Sequence, residues 1–140
     1  MTLMELLIAT LIMVPLCVAV MFVFLQCMEY NDLARNTSIA LRSCQKTLAQ
    51  MEGAQFDQIA ATYHQTSFTE AGLTGRGVSY VDSSNANYLK LTSSFSWRQK
   101  SGRVIGEDRD LDGVVDAGED ANANGMLDSP VTLTTYKYNI

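Results

Sequence analysis

Hydrophobic side chains are distributed very unevenly along this chain of 140 residues. From Leu6 through Cys27 no residue carries a charge, and the apolar run continues from the first residues to about Leu25. A run of about 20 apolar residues is long enough to cross the hydrocarbon core of a bilayer as one helix. The pattern therefore predicts an apolar, membrane-spanning or filament-core helix over residues 1–28.

Beyond residue 28 the pattern becomes amphipathic and keeps the helical period. Apolar or small residues recur at spacings of three and four, at Tyr30, Ala34, Thr37, Leu41, Cys44, Leu48 and Met51. Residues 29–53 are therefore expected to continue the helix and to pack this stripe against a sheet. We expect one helix from about Thr2 to Glu52, with Gly53 as its stop. Pro15 removes one backbone hydrogen bond, which predicts a kink or a short unwound stretch over residues 11–15.

Residues 54–140 are expected to form a globular head. Residues 56–61 can add a short helical segment, and three glycines interrupt the connector that follows. Alternation of apolar and polar positions predicts strands at residues 77–81, 88–98, 103–105 and 131–138. The predicted fold class is therefore α+β, with the long helix packed on a small antiparallel sheet.

The acidity of the chain is local. The formal net charge is -5, yet residues 107–128 hold eight acidic residues and one base, Arg109, which gives -7 and leaves +2 for the rest of the chain. Such a concentration of one charge favours a cation site over a general property of the surface.

Residues 108–119 match the 12-residue calcium loop of an EF-hand position by position. Carboxylates occupy positions 1, 3, 5, 9 and 12, a glycine occupies position 6, and an apolar residue occupies position 8. Gly113 allows the sharp bend, and magnesium is disfavoured because it resists dehydration and demands stricter octahedral geometry. The expected ligands are Asp108, Asp110, Asp112, the carbonyl of Val114, Asp116 and Glu119.

A second copy of the pattern begins at once, within the predicted loop region 107–129. Its candidate ligands are Asp120, Asn122, Asn124, the carbonyl of Met126 and Asp128. Its twelfth position is Val131, so this site lacks one ligand and is expected to be weaker, unless it shares Glu119 or a backbone oxygen. One Ca²⁺ is expected, and the second loop is a candidate for another. The alternative is a solvated acidic turn that binds no ion.

The surroundings of these loops bear on their role. No helices flank them, and the pair resembles the bacterial thrombospondin type 3-like and dockerin-like calcium repeats. Cys17, Cys27 and Cys44 lie about 15 and 25 Å apart along the predicted helix, too far for an intrachain disulfide. Bound calcium is therefore expected to stabilise the head in place of a disulfide.

The first residues, Met1-Thr2-Leu3-Met4-Glu5-Leu6-Leu7-Ile8-Ala9, resemble the mature N-terminus of type IV pilins and pseudopilins. Glu5 is the informative position, because an ionisable group within an apolar spanning segment is costly and is by default functional. The chain departs from many pilins at Phe22, where they have proline, and in lacking a C-terminal disulfide loop.

The resemblance implies a pathway of assembly. A prepilin peptidase would cut before Met1, and the new amine would usually be methylated. Subunits would wait in the inner membrane until the inner-membrane assembly machinery builds them into a helical homopolymer at the cell surface. In that filament Glu5 would pair with the amine of a neighbour's Met1. Opposite charges in an apolar core attract strongly, whereas either charge alone costs several kcal/mol.

The expected function is therefore structural: a subunit of a type IV pilus-like filament whose head is stabilised by calcium. The alternatives are a minor pilin or a pseudopilin of a type II secretion system and, from another class, a monomeric membrane-anchored calcium-binding adhesin or sensor. The simplest alternative for the N-terminus is a plain signal anchor or an uncleaved signal sequence. His64 is the single histidine and has no catalytic partner at a suitable spacing, and no nucleophile elbow, Gly-rich phosphate loop or zinc spacing is present, so no enzyme activity is expected. Nucleic-acid binding is not predicted either.

Overall fold

A computed structural model describes residues 3–139 of the chain. Its first element, α1, runs from Leu3 to Gly53 as one helix, which confirms the predicted long N-terminal helix. Pro15 lies inside it, and residues 11–15 remain helical, so the expected unwound stretch does not occur in the described helix. One proline removes one backbone hydrogen bond, and the bonds of the turns on both sides are retained.

Among the described residues, those up to Ala34 form one compact unit, and those from Arg35 onward form another. In the first unit the large hydrophobic side chains are exposed, with 56% of Leu7 and 63% of Phe22 accessible to solvent. An 18-residue window here has a mean hydropathy of 2.9, and none of that window is buried. By length and composition, this part of α1 is compatible with anchoring in a membrane.

The second unit contains the end of α1, a short helix and five strands, which confirms the predicted α+β class. The elements are α2 (Phe56–Tyr63), β1 (Thr66–Phe68), β2 (Gly75–Asp82), β3 (Tyr88–Arg98), β4 (Val104–Ile105) and β5 (Thr132–Tyr138). β1 was not predicted. The other strands lie where alternation predicted them, and β3 has the predicted bounds.

β3 is the centre of an antiparallel sheet. β2 pairs along one of its edges, with Val81 opposite Leu91, and β1 is added outside β2. The other edge of β3 is shared, because β5 pairs with residues 88–94 and β4 with residues 97 and 98. The long segment between β4 and β5 therefore begins and ends beside the same strand.

One face of the sheet packs against helices. Leu48 and Met51 of α1 and Ile59 of α2 form a core with apolar residues of the sheet, namely Val81, Leu89 and Leu91. The predicted stripe on α1 is correct at Cys44, Leu48 and Met51, whereas Tyr30 and Leu41 are exposed.

Small residues account for much of the remaining buried surface of α1. Ala40, Ser43 and Thr47 are buried on α1. The hydroxyl of Thr47 donates to the carbonyl of Ser43 at 3.2 Å. Because the helix backbone accepts this hydrogen bond, a polar side chain can be buried there at little cost. A hydrophobic stripe alone could not reveal this.

Candidate metal centre

The acidic segment between β4 and β5 covers the face of the sheet opposite the helices. Leu127 is 1% exposed and packs with Val78 and Tyr80 of β2, and Val115 and Met126 pack against the same cluster. Val115 and Leu127 are the apolar eighth positions of the two loops. The apolar position of each loop therefore attaches it to the sheet.

Hydrogen bonds reinforce this attachment. The backbone N–H of Leu127 donates to the Tyr80 hydroxyl at 2.8 Å, and the Leu127 carbonyl accepts from the Ser94 hydroxyl at 2.5 Å. Burial raises the pKa of Tyr80, so its hydroxyl keeps its proton at neutral pH. Both backbone groups of Leu127 are satisfied by the sheet, which holds the end of the second loop in place.

In the first loop Asp108 organises the backbone. It is 1% exposed. Its Oδ1 accepts from the N–H of Leu111 at 2.7 Å, and its Oδ2 accepts from the N–H of Gly113 at 3.0 Å. Leu111 and Gly113, at positions 4 and 6, have positive φ values of 66° and 79°. The turn is therefore tight, and it folds around the first carboxylate.

Three of the predicted ligands converge. Asp108, Asp110 and Asp112 each place one carboxylate oxygen within 4.8 Å of the others. Burial raises the pKa of Asp108, hydrogen bonds from Leu111 and Gly113 oppose the rise, and the nearby charges of Glu119 and Asp110 add to it. Three acidic groups at such separations repel one another, and a divalent cation would convert that repulsion into attraction.

The environment of the Glu119 carboxylate shows whether these residues fit an ion. Glu119 is 7% exposed, and its Oε1 accepts from the N–H of Arg109 at 2.8 Å. Its Oε2 is buried and has no hydrogen-bond partner among the described residues. A buried carboxylate oxygen without a partner is costly, and position 12 of a calcium loop uses both oxygens on the ion. The residues therefore fit a hard, oxygen-ligated cation such as Ca²⁺.

Asp116 and Glu119 lie outside the close group of three carboxylates. Val114 is 57% exposed, and its N–H donates to Asp112 Oδ1 at 2.7 Å. Asp116 is exposed, and its carbonyl accepts from the N–H of Glu119 at 3.1 Å. That last bond closes the loop between its ninth and twelfth positions.

The second loop repeats the backbone geometry of the first. Asp120 Oδ1 accepts from the N–H of Asn124 at 3.1 Å, and Asp120 Oδ2 accepts from the N–H of Gly125 at 2.6 Å. Ala123 and Gly125, at positions 4 and 6, have φ values of 56° and 75°. Asn124 Oδ1 accepts from the N–H of Met126 at 2.8 Å, as Asp112 does from Val114 in the first loop.

The structure also brings together the polar side chains of the second loop. The amide groups of Asn122 and Asn124 both donate to Asp128 Oδ2 at 2.8 Å. Asn122 and Asn124 are exposed, whereas Asp108 and Glu119 of the first loop are buried. The second loop is therefore the more open of the two and carries less negative charge on its own residues.

Glu107, which precedes the first loop, was not among the predicted ligands. Its N–H donates to the Asp128 carbonyl at 2.8 Å, and its Oε2 accepts from the N–H of Asp128 at 2.9 Å. Its Oε1 accepts from the N–H of Ala121 at 3.3 Å. Glu107 is thus attached to the second loop. The available signal was its spacing, since Glu107-Asp108 recurs twelve residues later as Glu119-Asp120.

The predicted assembly residues lie at the other end of the chain. Met1 is outside the described residues. Glu5 lies in the first turn of α1. Beside it Leu6 and Leu7 are 55% and 56% exposed. The carboxylate therefore belongs to an otherwise apolar, exposed stretch of helix.

His64 has a structural contact. It is exposed at the end of α2, and its Nδ1 accepts from the N–H of Val81 at 3.3 Å. This bond ties the connector to β2.

No protein-family model matches this chain, and comparisons with curated proteins and with solved structures found no match.

Proposed function

We propose that this protein is a structural subunit of a type IV pilus-like filament, assembled through α1 and carrying a head stabilised by calcium. The observation that carries the proposal is the exposed apolar surface of residues 3–28, which is interrupted by a single carboxylate, Glu5. Exposed apolar patches larger than a few hundred Å² mark interaction surfaces. Lipid would cover this surface before assembly, and identical helices of neighbouring subunits would cover it afterwards.

Glu5 favours a filament over a simple anchor. The partial positive charge at the start of α1 attracts a carboxylate in the first turn, but that effect contributes only about 0.3–1 kcal/mol. Burial of an unpaired charge costs several kcal/mol. In a filament, the N-terminal amine of a neighbouring subunit would offer the Glu5 carboxylate a full positive charge inside the apolar core. Such a pair would also fix the axial position of each incoming subunit.

The calcium part of the proposal is supported by the first loop. Asp108, Asp110 and Asp112 converge. Glu119 adds a buried oxygen that has no hydrogen-bond partner in the described part of the chain. A bound Ca²⁺ would neutralise these groups and hold the segment that leads into β5. In a chain whose cysteines are all free, the ion would take the structural role that a disulfide has in many secreted domains.

The assembly proposal is tested by Glu5→Gln, which removes the charge and keeps the shape. The subunit should remain in the membrane fraction, while the yield of filaments should fall by at least about tenfold, because a buried amine would lose its partner. Glu29→Gln is the matched control, since Glu29 lies on the same helix just beyond the apolar run, and its filament yield should be unchanged.

The outcomes separate the proposed function from its rivals. Normal filament yield from Glu5→Gln would contradict pairing of Glu5 with the amine. Recovery of the wild-type protein only as membrane-bound monomers, in cells that contain the assembly machinery, would favour the anchored calcium-binding module.

The calcium proposal is tested on the full chain in detergent. Calcium at a hundredfold excess over Kd should stabilise the folded head by about 2.7 kcal/mol, and EDTA should lower its melting temperature accordingly. Asp112→Asn should reduce this response, whereas Asp57→Asn, on the exposed surface of α2, should keep it. A melting curve that neither calcium nor EDTA moves would show that the loops are a solvated acidic surface.

A further inference from the structure

We propose that the two loops form one reciprocal pair, in which each loop is completed by the glutamate that precedes the other, so that Glu107 supplies the missing twelfth ligand of a second Ca²⁺ site. The sequence template ends at Val131 for the second loop and finds no oxygen ligand there. The inference rests on the proposed binding of calcium and extends it to a second ion.

The contacts of the two glutamates correspond position by position. Glu119 donates its N–H to the carbonyl at position 9 of the first loop, and its Oε1 accepts from the N–H at position 2, Arg109. Glu107 donates its N–H to the carbonyl at position 9 of the second loop, and its Oε1 accepts from the N–H at position 2, Ala121. Glu107 therefore occupies in the second loop the place that Glu119 occupies in the first.

Val131, at the twelfth position of the second loop, is instead part of the buried core. It is 4% exposed, and its carbonyl accepts from the N–H of Phe95 at 3.1 Å and from the Cys44 thiol at 3.9 Å. These contacts bind the start of β5 to β3 and to α1. A residue engaged in the core in this way is not available to a loop on the opposite face, so the twelfth ligand has to come from elsewhere.

A ligand for the paired unit is indicated independently of its hydrogen bonds. Glu119 Oε2 is buried and has no partner within residues 3–139. Glu119 is also joined by a peptide bond to Asp120, the first ligand of the second loop. An ion bound by Glu119 would therefore lie next to the first residue of the second loop. Because Glu107 and Asp108 are joined in the same way, each glutamate connects one site to the first ligand of the other.

The two sites should differ in affinity. The first has five carboxylates, Asp108, Asp110, Asp112, Asp116 and Glu119, whereas the second has three, Asp120, Asp128 and Glu107, with two asparagines. The affinity of such loops rises with ligand charge and rigidity. Glu107 Oε2 also has a partner, the N–H of Asp128, so it gains less from an ion than Glu119 Oε2 does. The first site should be tight and the second weaker.

Calorimetric titration of the full chain in detergent with CaCl₂ tests the pair. The wild-type chain should bind two ions. Glu107→Gln should weaken the second ion by at least about tenfold, the lower end of what even outer-shell changes cost a metal site, and should leave the tight site in place. Glu119→Gln should instead weaken the tight site. Glu70→Gln is the matched control, because Glu70 is half-buried outside the loops, and it should bind as the wild type does.

Three results would overturn the inference. In the first, Glu107→Gln binds two ions with wild-type affinities. In the second, the wild type binds one ion and Glu107→Gln does not change it, which would leave calcium at the first loop standing. In the third, the wild type binds no calcium, and the calcium part of the proposed function fails as well.

A second variant keeps the test decisive if Glu107→Gln does not fold, as judged by circular dichroism. Glu107→Asp keeps the charge and shortens the side chain by one methylene group, so it should fold and still weaken the second ion by at least about tenfold. Unchanged affinity for the second ion in this variant would equally overturn the inference.

Discussion

The apolar part of α1, residues 3–28, and the paired loops, residues 107–128, differ in chemistry and in local order. The first is a regular helix with apolar side chains on every face and one carboxylate. The second has no regular secondary structure and carries a net charge of -7. Yet each contains groups that the described residues leave unsatisfied: exposed hydrophobic side chains in one, and crowded carboxylates with a buried unpartnered oxygen in the other.

The size and charge of each unsatisfied surface indicate what kind of partner would satisfy it. An apolar surface that extends along many turns of helix requires a partner of similar extent, such as lipid or other helices. A few converging oxygens require a partner that is small and positive. The helix would therefore depend on assembly and the loops on an ion.

The largest effect on insertion and assembly should come from placing the same charge on the two parts of α1. Ala19 and Ala49 are both exposed in the isolated chain. Ala19→Arg should nevertheless impair membrane insertion and filament formation, because an arginine at the centre of a spanning helix costs about 2.5–3.5 kcal/mol on insertion scales. Ala49→Arg should change stability by less than about 0.5 kcal/mol. Membrane fractionation of both variants checks this, and equal behaviour would show that residues 3–28 lie in water.

The next effect concerns the attachment of the loops to the sheet. Leu127→Ala should destabilise the head by about 2–5 kcal/mol, because it removes a buried side chain between the sheet and the second loop. It should also weaken calcium binding by releasing the loop. Val114→Ala, at an exposed position of the first loop, should cost less than about 0.5 kcal/mol. Urea unfolding of both variants measures the difference, and similar midpoints would mean that the loops do not depend on the sheet.

A smaller effect should distinguish two glycines of the first loop. Gly113 and Gly118 have φ values of +79° and +90°, so alanine is strained at either position by about 1–2 kcal/mol. A Cβ atom at Gly113 would also lie 2.7 Å from Arg76 Cδ and 2.9 Å from Ser67 Cβ, whereas Gly118 has no atom within 4 Å. Gly113→Ala should therefore be the more destabilising in thermal melts. The opposite order would mean that the loop does not lie against β1 and β2.

The smallest effect is chemical, and it compares the cysteines. Cys17 and Cys27 are exposed on the apolar part of α1, whereas Cys44 is buried. Burial raises the pKa of the Cys44 thiol to about 11. In a Cys17→Ser, Cys27→Ser background, iodoacetamide should therefore label Cys44 slowly until the head unfolds.

The contribution of Cys44 to the stability of the head should decrease at high pH. Because its pKa is raised in the folded state, its contribution to stability is complete below the unfolded pKa of about 9 and is lost as the pH rises through about 11. Labelling should accelerate over that interval as the folded state weakens. Rapid labelling at pH 7 in the folded head would contradict the burial of Cys44.

Sequence patterns predicted the elements that repeat their signal over many residues. The charge-free run predicted the apolar part of α1, and alternation from Leu89 to Trp97 placed β3. β1 was missed because Thr66–Phe68 is a three-residue edge strand without alternation. Its place is set by pairing with β2, and such pairing is invisible to a local pattern.

The candidate site was predictable to a similar degree. The EF-hand template placed Asp108, Asp110 and Asp112, which the structure brings together. It missed Glu107 because the template counts forward from the first ligand and treats each loop as self-contained. Only the folded backbone shows that a residue before one loop lies against the other.

The hydrogen bonds between Glu107 and Asp128 also bear on how the chain reaches its folded state. Thr92 of β3 contacts Thr134 of β5, 42 residues along the chain, and closing a longer loop costs more conformational entropy. Once Glu107 and Asp128 are hydrogen-bonded, the residues between them no longer add to the length of chain that must be closed between β3 and β5. The effective loop is then about half as long. Each halving is worth about 0.6 kcal/mol, or roughly a threefold change in rate if the closure is limiting. The loops would thus set how quickly the final strand joins the sheet.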